Sequence, residues 1–378
     1  MLTLLLLGCL VVYILIRHGL NYEKLVAFKT IWSMNQHDIE GYFNSYDRLY
    51  GEERDFQCND LTDFDNNVPI MGFKPLDRSV ATEDLYKVLH NAILIGDLDK
   101  MYIPPKLGKT DDLVENQILA EKKLADFLKV EKGQSLLELG CGSGAIAMSM
   151  HKFTQCKITG LNIDQATIAK GMAKLKKAQN NDVTLKYQDY NAILQLEDNS
   201  IDGVYEIQAL TFSEDLPGMM RELYRVLKPG KRLAILEGCL LDAFDKRKHL
   251  SGKRLWELRG VIAAGALWHY KYFDKTAMDA GFTVVENKSY GGSPGTSANN
   301  SYAPELPILE KTDDNFRILS DHLRVLAYWR LIPPHIPRIF DRVCLGADVL
   351  IDMERNHHMT TSRYMVYEKP LVQDKEDD

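Results

Sequence analysis

The chain has 378 residues, 45% of them hydrophobic and 26% charged, with a formal net charge of −7. This is the composition of a globular protein; it excludes a disordered chain, and without a basic excess it sets nucleic acid aside in favour of a small or neutral partner. The six cysteines, Cys9, Cys58, Cys141, Cys156, Cys239 and Cys344, form neither CxxC pairs nor a dense framework, so neither disulfides nor a zinc site is expected.

The first element is the run "LTLLLLGCLVVYILI", apolar from Leu2 to Ile16 and followed by Arg17, His18, Lys24 and Lys29. A helix of about 16 to 20 residues reaches about 24 to 30 Å, which barely spans a thin bilayer such as that of the endoplasmic reticulum. Because the positive charge follows the apolar run, residues 1–18 read as a retained single-pass anchor with the rest of the chain in the cytosol. Two other readings stay open. One is a cleaved signal peptide, although a basic start and a small-x-small cleavage site are missing, and the other is an apolar helix packed on the domain. Under the signal-peptide reading, Asn287 and Asn299 would be glycosylation acceptors.

Residues 19–78 read as a linker, amphipathic and tyrosine-rich at "IEGYFNSYDRLYGEE" and then polar and loop-like. Two helices are expected next, at "SVATEDLYKVLHNAILIG" and "DDLVENQILAEKKLADFL", where apolar residues recur at three- and four-residue spacing. From "SLLELGCGSGAIAMSM" onward, strands and helices alternate: "KITGLN", "DQATIAKGMAKLKKAQ", "VTLKYQD", "IDGVYEI", "LPGMMRELYRVL" and, after the turn "KPG", "KRLAILEG". This alternation predicts a doubly wound Rossmann-like α/β domain over residues 79–370, with a parallel sheet covered by helices on both faces.

Insertions at about 239–270 and 289–360 interrupt the pattern and read as a substrate cap. The first is helical, up to Tyr272, and carries Trp256, Trp268, Tyr270 and Tyr272; the second opens with a lid-like loop, "YGGSPGTSANNSYAPELP", and continues as two helices. Between them "FDKTAMDAGFTVVENKS" resumes the helix-strand alternation, and "TSRYMVYEKP" closes the domain as a strand. The acidic tail, 371–378, reads as solvated.

The glycines Gly140, Gly142 and Gly144 stand where a first strand turns into a first helix, which leaves bare backbone and a helix N-terminus for a nucleotide-like ligand. "GCGSGA" also satisfies the dinucleotide pattern G-x-G-x-x-G/A, so context has to choose. Glu138, two residues before Gly140, suits a ligand with a cationic aminoacyl end and would repel a pyrophosphate. Asn162, with Asp164 just beyond it, ends the second strand where ribose hydroxyls need a partner. Asp189 and Tyr190 end the third, placed for an adenine amino group and ring. Cys141 reads as a small residue of the turn and not as a thiol nucleophile.

In their order, "LLELGCGSG", "ITGLNID", "YQDY", "DNSIDGVYEIQAL" and "YRVLKPG" resemble the motif series of the Class I S-adenosylmethionine-dependent methyltransferases. "GLN" and the closing Y-x-x-x-K-P resemble more particularly the sterol side-chain methyltransferases, membrane-associated enzymes that methylate a sterol alkene. The likeness covers roughly residues 79–370 and implies a seven-stranded sheet, S-adenosylmethionine as cofactor with S-adenosylhomocysteine as product, no metal, and a sterol or related lipid as substrate.

The resemblance implies a cofactor groove of Tyr102, Glu121, Glu138, Gly140, Cys141, Gly142, Gly144, Asn162, Asp164, Asp189, Tyr190 and Glu206. The chain departs from the family at two places. The family's Y-E-Y-G-W-G block reads "ILIGDLD", and its Y-A-I-E-A-T-C-H reads "YEIQALTF", so that its glutamate becomes Gln208 and its histidine Phe212.

Methylating an alkene leaves a carbocation, which aromatic faces stabilise, and a base must then remove a proton. Glu206, Tyr205, Gln208 and Asp215 are the candidate catalytic residues, with Glu237 at the end of the fifth strand as a further carboxylate. The aromatics Trp256, Trp268, Trp329 and Tyr270 fit a helical core better than a cation-stabilising wall. An N- or O-methyltransferase of a lipid headgroup or small metabolite, and a cofactor-binding membrane scaffold without catalysis, remain as alternatives.

Overall fold

The computed structural model describes residues 19, 21–50, 78–95, 100–213, 215–244, 258, 267–290 and 304–371. The apolar segment 1–18, Trp256 with most of the first insertion, Asn299 with its lid-like loop, and the tail from 372 onward lie outside the described residues. Among those described, no helix is long and apolar enough to cross a membrane.

Helices α1 (Tyr22–Trp32), α2 (Gln36–Tyr50), α3 (Arg78–Ile95) and α4 (Leu113–Leu128) precede the sheet. They are followed by β1 (Ser135–Leu139), α5 (Ala145–Thr154), β2 (Lys157–Asn162), α6 (Gln165–Lys177), β3 (Val183–Tyr187), β4 (Ile201–Ile207), α7 (Leu216–Val226) and β5 (Leu227–Leu240). The chain continues through α8 (Tyr270–Asp279), β6 (Thr283–Ser289), α9 (Leu306–Tyr328), α10 (His335–Arg355) and β7 (Met359–Glu368).

The strands form one seven-stranded sheet in the order β3-β2-β1-β4-β5-β7-β6. The first five are parallel, as the alternation predicts, but β7 runs antiparallel between β5 and β6. A single crossover helix makes successive strands parallel. The α9–α10 hairpin adds one more reversal, so β7 enters the sheet inverted.

Other boundaries moved as well. The turn "KPG" survives as a bulge within β5: Ile201 pairs with Leu227 and Gly203 with Arg232, so the residues between stand outside the β4 ladder, although the Lys228 ammonium reaches Asp202 of β4 at 2.7 Å. The expected helical stretch from Cys239 gives way to strand through Leu240, and Tyr270 and Tyr272 belong to the first turn of α8, which His269 caps.

Side chains that alternate along each strand feed two cores. Val204 and Ile235 pack with α7 and α8 on one face, while Tyr205 and Leu236 pack with α4, α5 and α6 on the other. A third cluster joins α1, α2 and α3 to α9 and α10 around Ile31, Tyr42, Leu85, Phe316 and Phe340. Part of the segment read as a linker is therefore structural, because full burial of a side chain such as Ile31 is worth about 1.5 to 3 kcal/mol. This helical layer lies over the carboxyl ends of the parallel strands.

Candidate active site

A cavity of about 310 Å³ lies where the carboxyl ends of β1, β2, β4 and β5 meet the helical layer. The turn after β1 forms one wall, with Gly140, Cys141, Gly142 and Ser143 lining the space. Gly140 has φ +67°, and a β-carbon there would lie 2.4 Å from Cβ of Ala209. Gly142 has φ +50°, and a β-carbon on it would meet nothing within 4 Å, so this backbone faces open space. No side chain caps α5, whose N-cap is the left-handed Gly144, and Ala145 and Ile146 of its first turn line the cavity. Backbone N–H groups at such a terminus attract a carboxylate or a polar oxygen.

Asn162, Asp164, Asp189 and Tyr190 line the same space. Asp164 is committed as the N-cap of α6, accepting from the N–H groups of Ala166 and Thr167 and from the Thr167 hydroxyl. Asp189 accepts from the backbone N–H and the side-chain amide of Asn191 at 2.9 and 3.2 Å, both through Oδ1. Tyr190 is buried and donates to the carbonyl of Ala209, which fixes its ring.

Glu121, Glu138, Gly144 and Glu206 do not line the cavity. Glu121 lies behind Lys100 and Tyr102, which do: the Lys100 ammonium is 2.5 and 2.7 Å from its two oxygens, and the Tyr102 hydroxyl donates to Oε1 at 2.8 Å. Burial, and then the charge of Glu121, raise the Tyr102 pKa. Glu138 is buried beneath the turn and accepts from the Tyr205 hydroxyl at 3.0 Å; its pKa is raised to about 8, mainly by burial. Sequence reasoning passed over Lys100, the only signal being a cation two residues before Tyr102.

The catalytic candidates separate. Tyr205 is fully buried against Glu138 and does not line the cavity. Asp215 is an exposed N-cap of α7, accepting from the N–H of Gly218, and also lies away from the cavity. Gln208 lines it, with φ +50°, and its amide donates to the Thr361 carbonyl at 2.6 Å, tying the end of β4 to β7. Glu206 is completely buried; Oε2 accepts from the N–H of Ala209 at 2.8 Å, and Oε1 has no partner among the described residues. Glu237 does line the cavity, held by the N–H groups of Thr211 and Gly238 at 3.2 and 2.7 Å. Burial raises the pKa of both carboxyls, and their proximity raises that of Glu206 further.

The helical wall is mainly apolar, built from Leu89, Ile93, Leu309, Phe316, Val343 and Leu350, with His90, Thr312 and Asp313 as its polar members. Two polar atoms interrupt the lining without a partner among the described residues, Oδ1 of Asp313 and Oγ1 of Thr361. Asp313 was also missed, although its place between Leu309 and Phe316 on one helix face is legible as an acid in an apolar stripe. Trp268 is core, edge-on to Phe273, and Trp329 is half exposed; neither lines the cavity, whose aromatic members are Tyr102, Tyr190, Phe212 and Phe316. Among the described residues, no cluster of His, Cys, Asp and Glu could hold a metal ion.

Residues 137–235 match the family model described as a methyltransferase domain. Over 277 residues the chain is 29% identical to a cycloartenol-C-24-methyltransferase of Arabidopsis thaliana, covering 69% of this chain and 79% of that one. It is 30% identical over 209 residues to a sterol 24-C-methyltransferase of Saccharomyces cerevisiae, covering 55% of this chain and 54% of the yeast protein. A cyclopropane synthase of Mycobacterium tuberculosis shares the fold, with a TM-score of 0.57 at 14% identity over 85% of this chain and 99% of its own.

Proposed function

We propose that this chain, a Class I S-adenosylmethionine-dependent methyltransferase resembling the sterol 24-C-methyltransferases, methylates an alkene carbon of a sterol or related isoprenoid lipid. The observation that carries this reading is the cavity itself, in which the glycine turn and a buried carboxyl face a helical wall of aliphatic and aromatic side chains. Such a wall takes up a hydrocarbon skeleton and excludes water.

The residues at the sheet fit the cofactor: open backbone at Gly142, an uncapped helix N-terminus, and Asn162 and Asp189 at successive strand ends. When bound, S-adenosylmethionine supplies an electrophilic methyl group on a sulfonium. Lys100 is placed to meet the carboxylate of its aminoacyl end, while Asp189 and Tyr190 serve its adenine. Phe212, Phe316 and Tyr102 present the rings that stabilise positive charge on the lipid.

Glu237 is the proton acceptor in this reading. Of the two neighbouring carboxyls it alone lines the cavity, and their proximity disfavours having both ionised; because burial raises its pKa, Glu237 accepts the proton only in its ionised form, so kcat should rise with pH as that form is populated. Gln208 has no proton-accepting carboxylate, and its amide holds Thr361 in place. A position at the endoplasmic reticulum membrane, with the catalytic domain cytosolic, belongs to the same proposal, supported by the apolar run before α1.

The test is incubation of the full chain with methyl-labelled S-adenosylmethionine and a sterol and lipid extract, with mass spectrometry of the products. Label on a carbon of a sterol supports the reading, and Glu237→Gln should then lower kcat by about 100-fold or more. Label on a headgroup heteroatom or a water-soluble product overturns it in favour of N- or O-methylation, and cofactor binding without any transfer favours the scaffold.

A further inference from the structure

We propose that Asp313 is a specificity-determining residue of this pocket, accepting a hydrogen bond from a hydroxyl group of the lipid; this rests on the lipid reading above. Leu309, Thr312, Asp313 and Phe316 form the face of α9 that lines the cavity, and Asp313 is only 8% exposed. Its Oδ2 accepts from Nε of Arg317 at 2.6 Å, while Oδ1 is buried without a hydrogen-bond partner among the described residues. A buried carboxylate oxygen left without a donor is costly, and most such groups in folded proteins find a partner. The neighbouring Thr312 hydroxyl does not supply one, because it donates to the carbonyl of Ile308 at 2.7 Å.

The chemistry selects among donors. The Arg317 guanidinium beside Asp313 also donates to Asp348 at 2.6 Å and to the Cys344 carbonyl at 3.1 Å, so a cation already shares the carboxylate. An ammonium would have to lose its hydration against the largely aliphatic and aromatic wall, whereas a neutral O–H donates to Oδ1 at a smaller desolvation cost. The lipid is therefore held with its hydroxyl at the α9 wall and its reacting carbon at the sheet wall, beside Glu237.

Competition binding on the full chain in detergent, with S-adenosylhomocysteine present, tests this with two probes: cycloartenol, a sterol alcohol, and its methyl ether, whose oxygen cannot donate. The alcohol should bind about 10- to 100-fold more tightly than the ether. Asp313→Leu should abolish that preference while retaining binding of the ether. Equal affinity of the unaltered protein for both probes overturns this role of Asp313 and leaves the sterol reading standing. A preference that survives in Asp313→Leu does the same. If neither probe binds, the sterol reading falls and the role of Asp313 falls with it.

Discussion

Glu138 shows how burial changes the meaning of a residue that sequence can only place. Two residues before Gly140, it reads as the counter-charge for a cationic ligand, but the folded chain puts it under the turn with the Tyr205 hydroxyl as partner. Its pKa rises from 4.5 to about 8, so between those values the folded state holds a proton that the unfolded chain has released. Stability from this group is therefore full at low pH and is lost as pH rises through that window. Urea unfolding at a series of pH values should show the unaltered protein losing a few kcal/mol more than Glu138→Gln between pH 5 and pH 8. Parallel pH profiles for the two proteins would refute this. Glu206, Glu237 and Glu354 are shifted in the same direction, so the difference between the two profiles, and not either slope alone, carries the test.

At the scale of elements, the β1-turn-α5 unit separates a glycine needed for packing from one needed for space. Gly140→Ala sets a β-carbon against Ala209, the residue whose N–H holds Glu206 and whose carbonyl holds Tyr190. Gly142→Ala meets no protein atom and projects into the open region of the turn. Gly140→Ala should cost about 1 to 3 kcal/mol of stability and weaken cofactor binding, while Gly142→Ala should cost about 1 kcal/mol and chiefly weaken binding. Thermal unfolding alongside calorimetric titration with S-adenosylhomocysteine distinguishes them; equal losses of stability would contradict the assignment.

These elements were legible because their periods are local: alternation in "SLLEL", then three- and four-residue spacing in the helix that follows. The inversion of β7 was not, because the direction of a strand depends on how many helices precede it and where the sheet has an open place. The cavity was half legible for the same reason. Asn162 and Asp189 sit at strand ends that a motif marks, whereas Lys100, Asp313 and Thr361 arrive from segments far apart in the chain and acquire a role only when the helical layer closes.

The whole molecule presents its apolar surface unevenly. Tyr22, Leu25, Val26 and Trp32 of α1 are exposed, as are Tyr328, Trp329 and Leu331 at the α9–α10 turn. His335 Nε2 donates to the Ile31 carbonyl at 3.0 Å, which brings the end of α1 beside the start of α10. Tyrosine and tryptophan are the side chains that settle at a bilayer interface, and this end of the helical layer follows directly on the apolar segment 1–18. Two independent attachments are therefore expected, one through that segment and one through the aromatic edge. Deleting residues 1–18 should release most of the protein from vesicles in a flotation assay, and Trp32→Ser with Trp329→Ser in the shortened chain should lower the remaining partition by roughly 10-fold or more. Unchanged flotation after the deletion would remove the anchor. Unchanged partition after the two substitutions would remove the edge, and with it the proposal that the helical wall of the cavity is also the side turned toward a membrane.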